Sequence, residues 1–215
     1  LAYPDAYDIG MSNMGLGILY DILNREEDVA CERTFAPWED MEAEMRAEGI
    51  GLWSLETRHP VRDFDVFGFT LQYEMTYTNV LNMLDLAGIP VWARDRREGD
   101  PIVICGGSGS FNPEPLSSFV DAFVLGEGEE AVIELVDRIR EWKRRGVPRQ
   151  ERLRDLLSMP GVYVPAFYEA RYDDAGRFAS LEPLTPEAPR VIRRRIVGQL
   201  PPPLVKPIVP FLQTI

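Results

Sequence analysis

The stretch DVFGFTLQYEMTYTNVLNMLDLAGIP, residues 65–90, decides the fold. Its first seven residues, Asp65–Leu71, are almost continuously apolar, as expected of a strand covered on both faces. The next helix, from about Met75 to Ala87, places Tyr77, Val80, Leu81 and Leu84 at i, i+3, i+4 and i+7; Gly88 and Pro90 then stop it. The pattern returns to strand at Ile102–Cys105. Strand, helix and strand in this order make a parallel crossover unit.

The same alternation runs through residues 1–146. Leu1–Pro4 reads as a strand, and Ser12 as the N-cap of a helix reaching Asn24. Val29–Phe35 is a second strand, and a helix follows from about Pro37 to Gly49. Ala122–Leu125 is a fifth strand. The closing helix, about Gly128 to Arg145, buries Val132, Leu135, Val136 and Ile139; its acids stand at the positive end and its bases at the negative end. Five such strands fit the flavodoxin-like, Rossmann-like order 2-1-3-4-5, in which ligands bind at the carboxyl ends of the strands.

Residues 147–215 differ in character. A short helix, about Arg149 to Leu157, precedes GVYVPAFYEARYDDAGRF (161–178), which reads as a hairpin turning at Asp173–Gly176. EPLTPEAP, the basic run Arg193–Arg195, the Pro201–Pro203 triplet and the apolar end PIVPFLQTI read as linker. The division is therefore an α/β domain over 1–146 and an extension over 147–215, with the natural chain expected to continue.

Charge follows a similar division. Residues 1–137 carry 8 basic and 27 acidic side chains, and residues 138–215 carry 15 basic and 8 acidic ones. Either the basic segment contacts something else, such as RNA or a protein substrate, or it folds back on the acidic body. No apolar run reaches the roughly 18 residues that span a bilayer, and no signal-peptide pattern opens the chain. A cytoplasmic setting and no membrane partner are expected. A single histidine, His59, and two cysteines, Cys31 and Cys105, exclude a His-rich metal centre and a disulfide framework.

The loops at the strand ends carry the remaining signal. After strand 1 comes DAYDIGMSNMG (5–15), whose Asp5-x-Tyr7-x-x-Gly10 spacing is similar to the DxHxxG pattern of cobalamin-binding domains, with tyrosine in place of histidine. After strand 3, Thr70-Leu71-Gln72 stands where those domains have S-x-L. Strand 4 ends in Gly106-Gly107-Ser108-Gly109, matching a glycine pair, and strand 5 in Gly126-Glu127-Gly128-Glu129. Together with FAPWEDME (35–42), FNPEPL (111–116) and GVYVPAFY (161–168), this set resembles a subgroup of uncharacterised radical SAM proteins with an N-terminal cobalamin-binding-like domain.

The resemblance implies a cofactor cleft built from Asp5, Tyr7, Gly10, Thr70, Gln72, Gly106, Gly107, Ser108 and Glu127. It also implies a following radical SAM barrel, which would hold a [4Fe-4S] cluster and S-adenosylmethionine and would be the partner of this domain. The CxxxCxxC motif of such a barrel is absent here, so the chain itself is expected to be non-catalytic. In cobalamin domains the histidine supplies cobalt's lower nitrogen and the aspartate orients it. A neutral phenol is a poor substitute, so cobalamin is expected to bind, if at all, without an axial ligand from this loop. The glycines admit a close approach, either by a cofactor tail or by the neighbouring loop. Glu127 either meets a ligand or simply complements its helix dipole. A corrin-free recognition or assembly module is the alternative. A phosphate-cradling nucleotide binder fits less well, because 5–15 lacks the Ser/Thr/Gly density of such loops.

Overall fold

The computed structural model describes residues 1–199. The Pro201–Pro203 triplet and the apolar end at 207–215 lie outside the described residues. The strands are β1 (Ala2–Tyr3), β2 (Thr34–Phe35), β3 (Val66–Thr70), β4 (Ile102–Gly106), β5 (Ala122–Val124) and β6 (Val162–Tyr163). They form one sheet in the order β2-β1-β3-β4-β5-β6. The first five are parallel, in the Rossmann-like order expected, and β6 adds an antiparallel edge strand from beyond residue 146. A separate hairpin pairs β7 (Tyr168–Tyr172) with β8 (Phe178–Pro183), turning where the Asp173–Gly176 signal placed it.

The helices are α1 (Tyr7–Gly10), α2 (Met14–Leu23), α3 (Glu39–Glu48), α4 (Tyr77–Leu86), α5 (Glu129–Arg145) and α6 (Arg149–Leu156). Two local expectations are corrected. The cap of α2 is Asn13 and not Ser12: the Asn13 side chain accepts from Leu16 N at 2.8 Å. The second strand is shorter than Val29–Phe35. The Asn24 side chain bonds both the N–H and the C=O of Cys31 (3.1 and 2.9 Å), which occupies backbone groups that would otherwise join the ladder.

The two faces of the sheet are packed differently. Phe67, Phe69, Leu71, Val103, Cys105 and Phe123 bury against Val80, Met83 and Leu84 of α4 in the main core. The opposite face presents Val66, Gly68, Ile104, Ala122 and Val124 toward α2 and α5, and small residues there leave space.

The basic segment folds back on the acidic body. Arg138 meets Glu134, Arg140 meets Glu26 and Asp28, Lys143 meets Asp65, and Arg195 meets Glu134. The deepest tie is Arg149, which reaches Asp121 at 2.6 Å beneath β5.

Candidate functional site

Between the α2–α5 pair and the sheet lies a cavity of about 740 Å³. That is within the roughly 300–1,000 Å³ of ordinary ligand sites. Its walls are mostly aliphatic: Leu16 and Leu19 from α2, Val132 and Leu135 from α5, and Ile104 and Val124 from the sheet. Its floor is set by Gly68 in mid-strand and by Ala122 on β5. A glycine inside a strand leaves room for something to approach the backbone. Only the Leu1 side chain, at 3.6 Å, comes near the place a Gly68 Cβ would take.

The cavity extends to the carboxyl ends of the strands. There Thr70, Gln72, Gly106, Gly107 and Glu127 line it, five of the nine residues singled out from sequence. Asp5, Tyr7, Gly10 and Ser108 do not line it. The polar side chains at this end interlock: Gln72 Nε2 donates to Thr70 Oγ1 at 2.7 Å, and Ser108 Oγ donates to the Gln72 carbonyl at 3.0 Å.

Gly107 has φ +92°. A Cβ there would lie 2.5 Å from the Leu71 carbonyl oxygen, and one at Gly109 would lie 3.0 Å from Leu71 Cβ. Leu71 N donates to Gly106 O, and Gly109 N to Leu71 O (2.7 and 2.9 Å). The close approach these glycines permit is therefore to the loop after β3.

The loop after β1 is engaged elsewhere. Asp5 accepts from Ala6 N at 2.8 Å and from the Tyr73 hydroxyl at 2.7 Å. That bond, with burial and the Asp5 charge behind it, holds the Tyr73 phenol above its usual pKa. Tyr7 stands at the start of α1, half-exposed, with its ring edge-on to Phe35 at 5.2 Å. Gly10 is required by packing, since a Cβ there would come 2.6 Å from the Tyr3 ring.

Glu127 accepts from the backbone N–H of Val197. Beside it, Arg195 pairs with the end of β5: its N–H donates to Leu125 O at 2.8 Å and its carbonyl accepts from Glu127 N at 3.2 Å. Gly126 (φ +101°) and Gly161 (φ +77°) clear space for that segment. The sequence left open that the basic run folds back on the body but not where it docks, although the paired glycines are the trace of that place.

His59 is exposed in the turn before β3, at the amino side of the sheet, bonded to Thr57 Oγ1 through Nδ1 at 2.9 Å. Cys105 is completely buried in β4, and Cys31, ahead of β2, is buried against Leu23 and Val136. Burial pushes both thiols up from their ordinary range. Two such thiols fall short of the set of cysteine ligands that holds an iron–sulfur cluster. Among the described residues no group of three or more His, Cys, Asp or Glu side chains is placed to hold a metal ion. No helix among them is long and apolar enough to cross a membrane.

The family of radical SAM proteins, N-terminal, matches residues 15–165. An uncharacterised protein of Methanocaldococcus jannaschii is 24% identical over 143 residues, which cover 64% of this chain and 26% of that protein. The chain thus corresponds to about a quarter of the length of that relative. No solved structure matches significantly.

Proposed function

The chain belongs to the family of N-terminal domains of radical SAM proteins, and from that premise we propose that it is the cobalamin-binding-like, non-catalytic module of a radical SAM iron–sulfur enzyme. The cavity beneath α2 and α5 takes the nucleotide tail of the corrinoid. The observation that carries this reading is an aliphatic slot, floored by Gly68 and Ala122, that extends to the carboxyl ends of the strands. Such a slot suits a flat aromatic base, whose burial is driven by apolar area. Thr70 and Gln72 supply polar atoms at that end for the sugar–phosphate part.

The residues fit the tail but not an axial nitrogen. The sequence's one histidine is at the amino side of the sheet, and Asp5 is already bonded to Tyr73. When bound, the corrinoid would supply cobalt-centred chemistry; this chain would hold its tail. The [4Fe-4S] cluster and S-adenosylmethionine belong to the barrel expected further along the polypeptide, since two buried cysteines cannot ligate the cluster. Substrate and reaction are set there.

Titration with hydroxocobalamin, followed by visible absorbance, tests this reading. Saturable binding with a spectrum unaffected by Tyr7→Phe is expected. Absence of binding favours the corrin-free assembly module, a reading supported by the glycines' close fit to Leu71. A second expectation concerns the missing ligand. Tyr7→His alone provides an imidazole, but Asp5 stays engaged by the Tyr73 hydroxyl and cannot orient it. Adding Tyr73→Phe frees Asp5. The double variant should therefore shift the spectrum toward a histidine-ligated form more completely than Tyr7→His alone. Equal spectra for the two variants would show that Asp5 has no such role.

A further inference from the structure

Beyond the cavity mouth, where Gln72, Gly107 and Glu127 stand, the loops leaving β1 to β5 at their carboxyl ends share an outer surface with a chemistry of its own. Residues 4–13, 36–38, 71–76, 107–116 and 125–128 contain no lysine, arginine or histidine. They carry Asp5, Asp8, Glu74, Glu114 and Glu127 instead, together with large apolar side chains turned to solvent. Met75 is 82% exposed, Met14, just inside α2, 74%, Trp38 64%, Phe111 55% and Ile9 51%.

Sheet order places these groups in one row. Trp38 follows β2, Ile9 follows β1, Met75 follows β3 and Phe111 follows β4, and the strands are neighbours in that sequence. The loops are also tied to one another, by Tyr7 against Phe35, Asp5 to Tyr73, and Gly109 to Leu71. An apolar row of this size on one edge marks an interaction surface. These loops offer no cation to neutralise a run of backbone phosphates, so nucleic acid is the wrong partner.

The course of the chain indicates the occupant. Arg195 is fixed against the carboxyl end of β5, on this same edge. Four further residues can carry the chain only about 14 Å from there. Residue 199, the last described, therefore lies within about 14 Å of the carboxyl end of β5. The matched family is an N-terminal one, and the matched relative is about four times longer than the aligned region.

We propose that this edge seats the part of the same polypeptide that continues past residue 215, through an apolar surface with a basic rim. The proposal rests on the outer surface and not on the cavity. It is read without added corrinoid, so its failure and that of the corrinoid reading are distinguishable.

The test uses the full-length protein with a photo-crosslinking benzoylphenylalanine in place of Met75, and in a second protein in place of Arg144 at the far end of α5. Crosslinks within one chain, from position 75 to peptides beyond residue 215 and none there from position 144, are expected. Crosslinks joining two copies, crosslinks to RNA, no crosslink from position 75, or a gene that stops at Ile215 would overturn the proposal. In parallel, the full-length Ile9→Asp/Met75→Asp variant should be cut between the two parts about tenfold faster by a protease at low dose. An unchanged rate would also overturn it.

Discussion

Replacing Asp121 by alanine is expected to cost about 3–5 kcal/mol of stability, the usual loss when one partner of a buried ion pair is removed. Asp121 Oδ2 accepts from Arg96 Nη1 at 2.9 Å, from Arg149 Nη2 at 2.6 Å and from Val103 N at 2.8 Å. Both Asp121 and Arg96 side chains are 1% exposed or less. Burial already draws the Arg96 guanidinium below its ordinary pKa, with Asp121 opposing that change. Without the carboxylate, two guanidiniums would share the interior with no counter-charge. Their other N–H groups are held by the carbonyls of Pro90, Val91 and Phe119, and of Asp100 and Pro101, so neither can simply swing out. For a chain of this size, the midpoint of thermal unfolding should fall by roughly 6–20 °C. Because Arg149 opens α6, the variant should also loosen residues 149–163 from the sheet, visible as faster amide exchange there. A midpoint within 2–3 °C of the parent, on the same scale, would show that the cluster is not what joins these segments.

Gly107→Ala is the second large effect, and its neighbour Gly106→Ala is the control. At Gly107 the backbone takes φ +92° and ψ −179°, a region left almost entirely to glycine. Backbone strain there costs on the order of 1–3 kcal/mol. The new methyl would also meet the Leu71 carbonyl oxygen at 2.5 Å, and that oxygen is held by Gly109 N. The loops after β3 and β4 would have to part. The combined loss should be about 3 kcal/mol or more. Gly106 lacks a positive φ and has nothing nearer than 4.0 Å to a new methyl, so its variant should be near neutral. Chemical denaturation of the pair checks this; equal losses at the two positions would contradict the account.

Much of the architecture was legible because the apolar patterns were strong and the punctuation was unambiguous. DVFGFTL and the Val132–Ile139 stripe could bury only in a covered parallel sheet, and Gly49 and Gly146 end their helices in the left-handed conformation as their positions implied. What escaped depended on contacts distant in sequence. Nothing around Val29 announces that Asn24 will take the Cys31 backbone groups. The edge strand Val162–Tyr163 is two residues long and forms because β5 offers it a partner.

The site was half legible for the same reason. Position on the strand ends found Thr70, Gln72, Gly106, Gly107 and Glu127, but the aliphatic slot below them is made by side chains from α2, α5 and the four strands β3 to β6. Its one local trace was Gly68, a glycine inside an otherwise bulky strand. The acid side chains are the reverse case: Asp5 and Glu127 have the right chemistry for a ligand, yet they bind Tyr73 and Val197.

The central claim is that the slot above Gly68 holds the nucleotide tail of a corrinoid. The most direct measurement compares hydroxocobalamin with a corrinoid lacking that tail, on the parent protein and on Gly68→Val. Burying roughly 150 Å² of aromatic base is worth about 3–4 kcal/mol before ordering costs are subtracted. The parent should therefore prefer the tailed corrinoid by about tenfold or more. Valine suits a strand and would fill the slot, so Gly68→Val should fold at least as stably and lose that preference. A parent protein that binds both corrinoids equally, or a Gly68→Val variant that keeps the full preference, would contradict it.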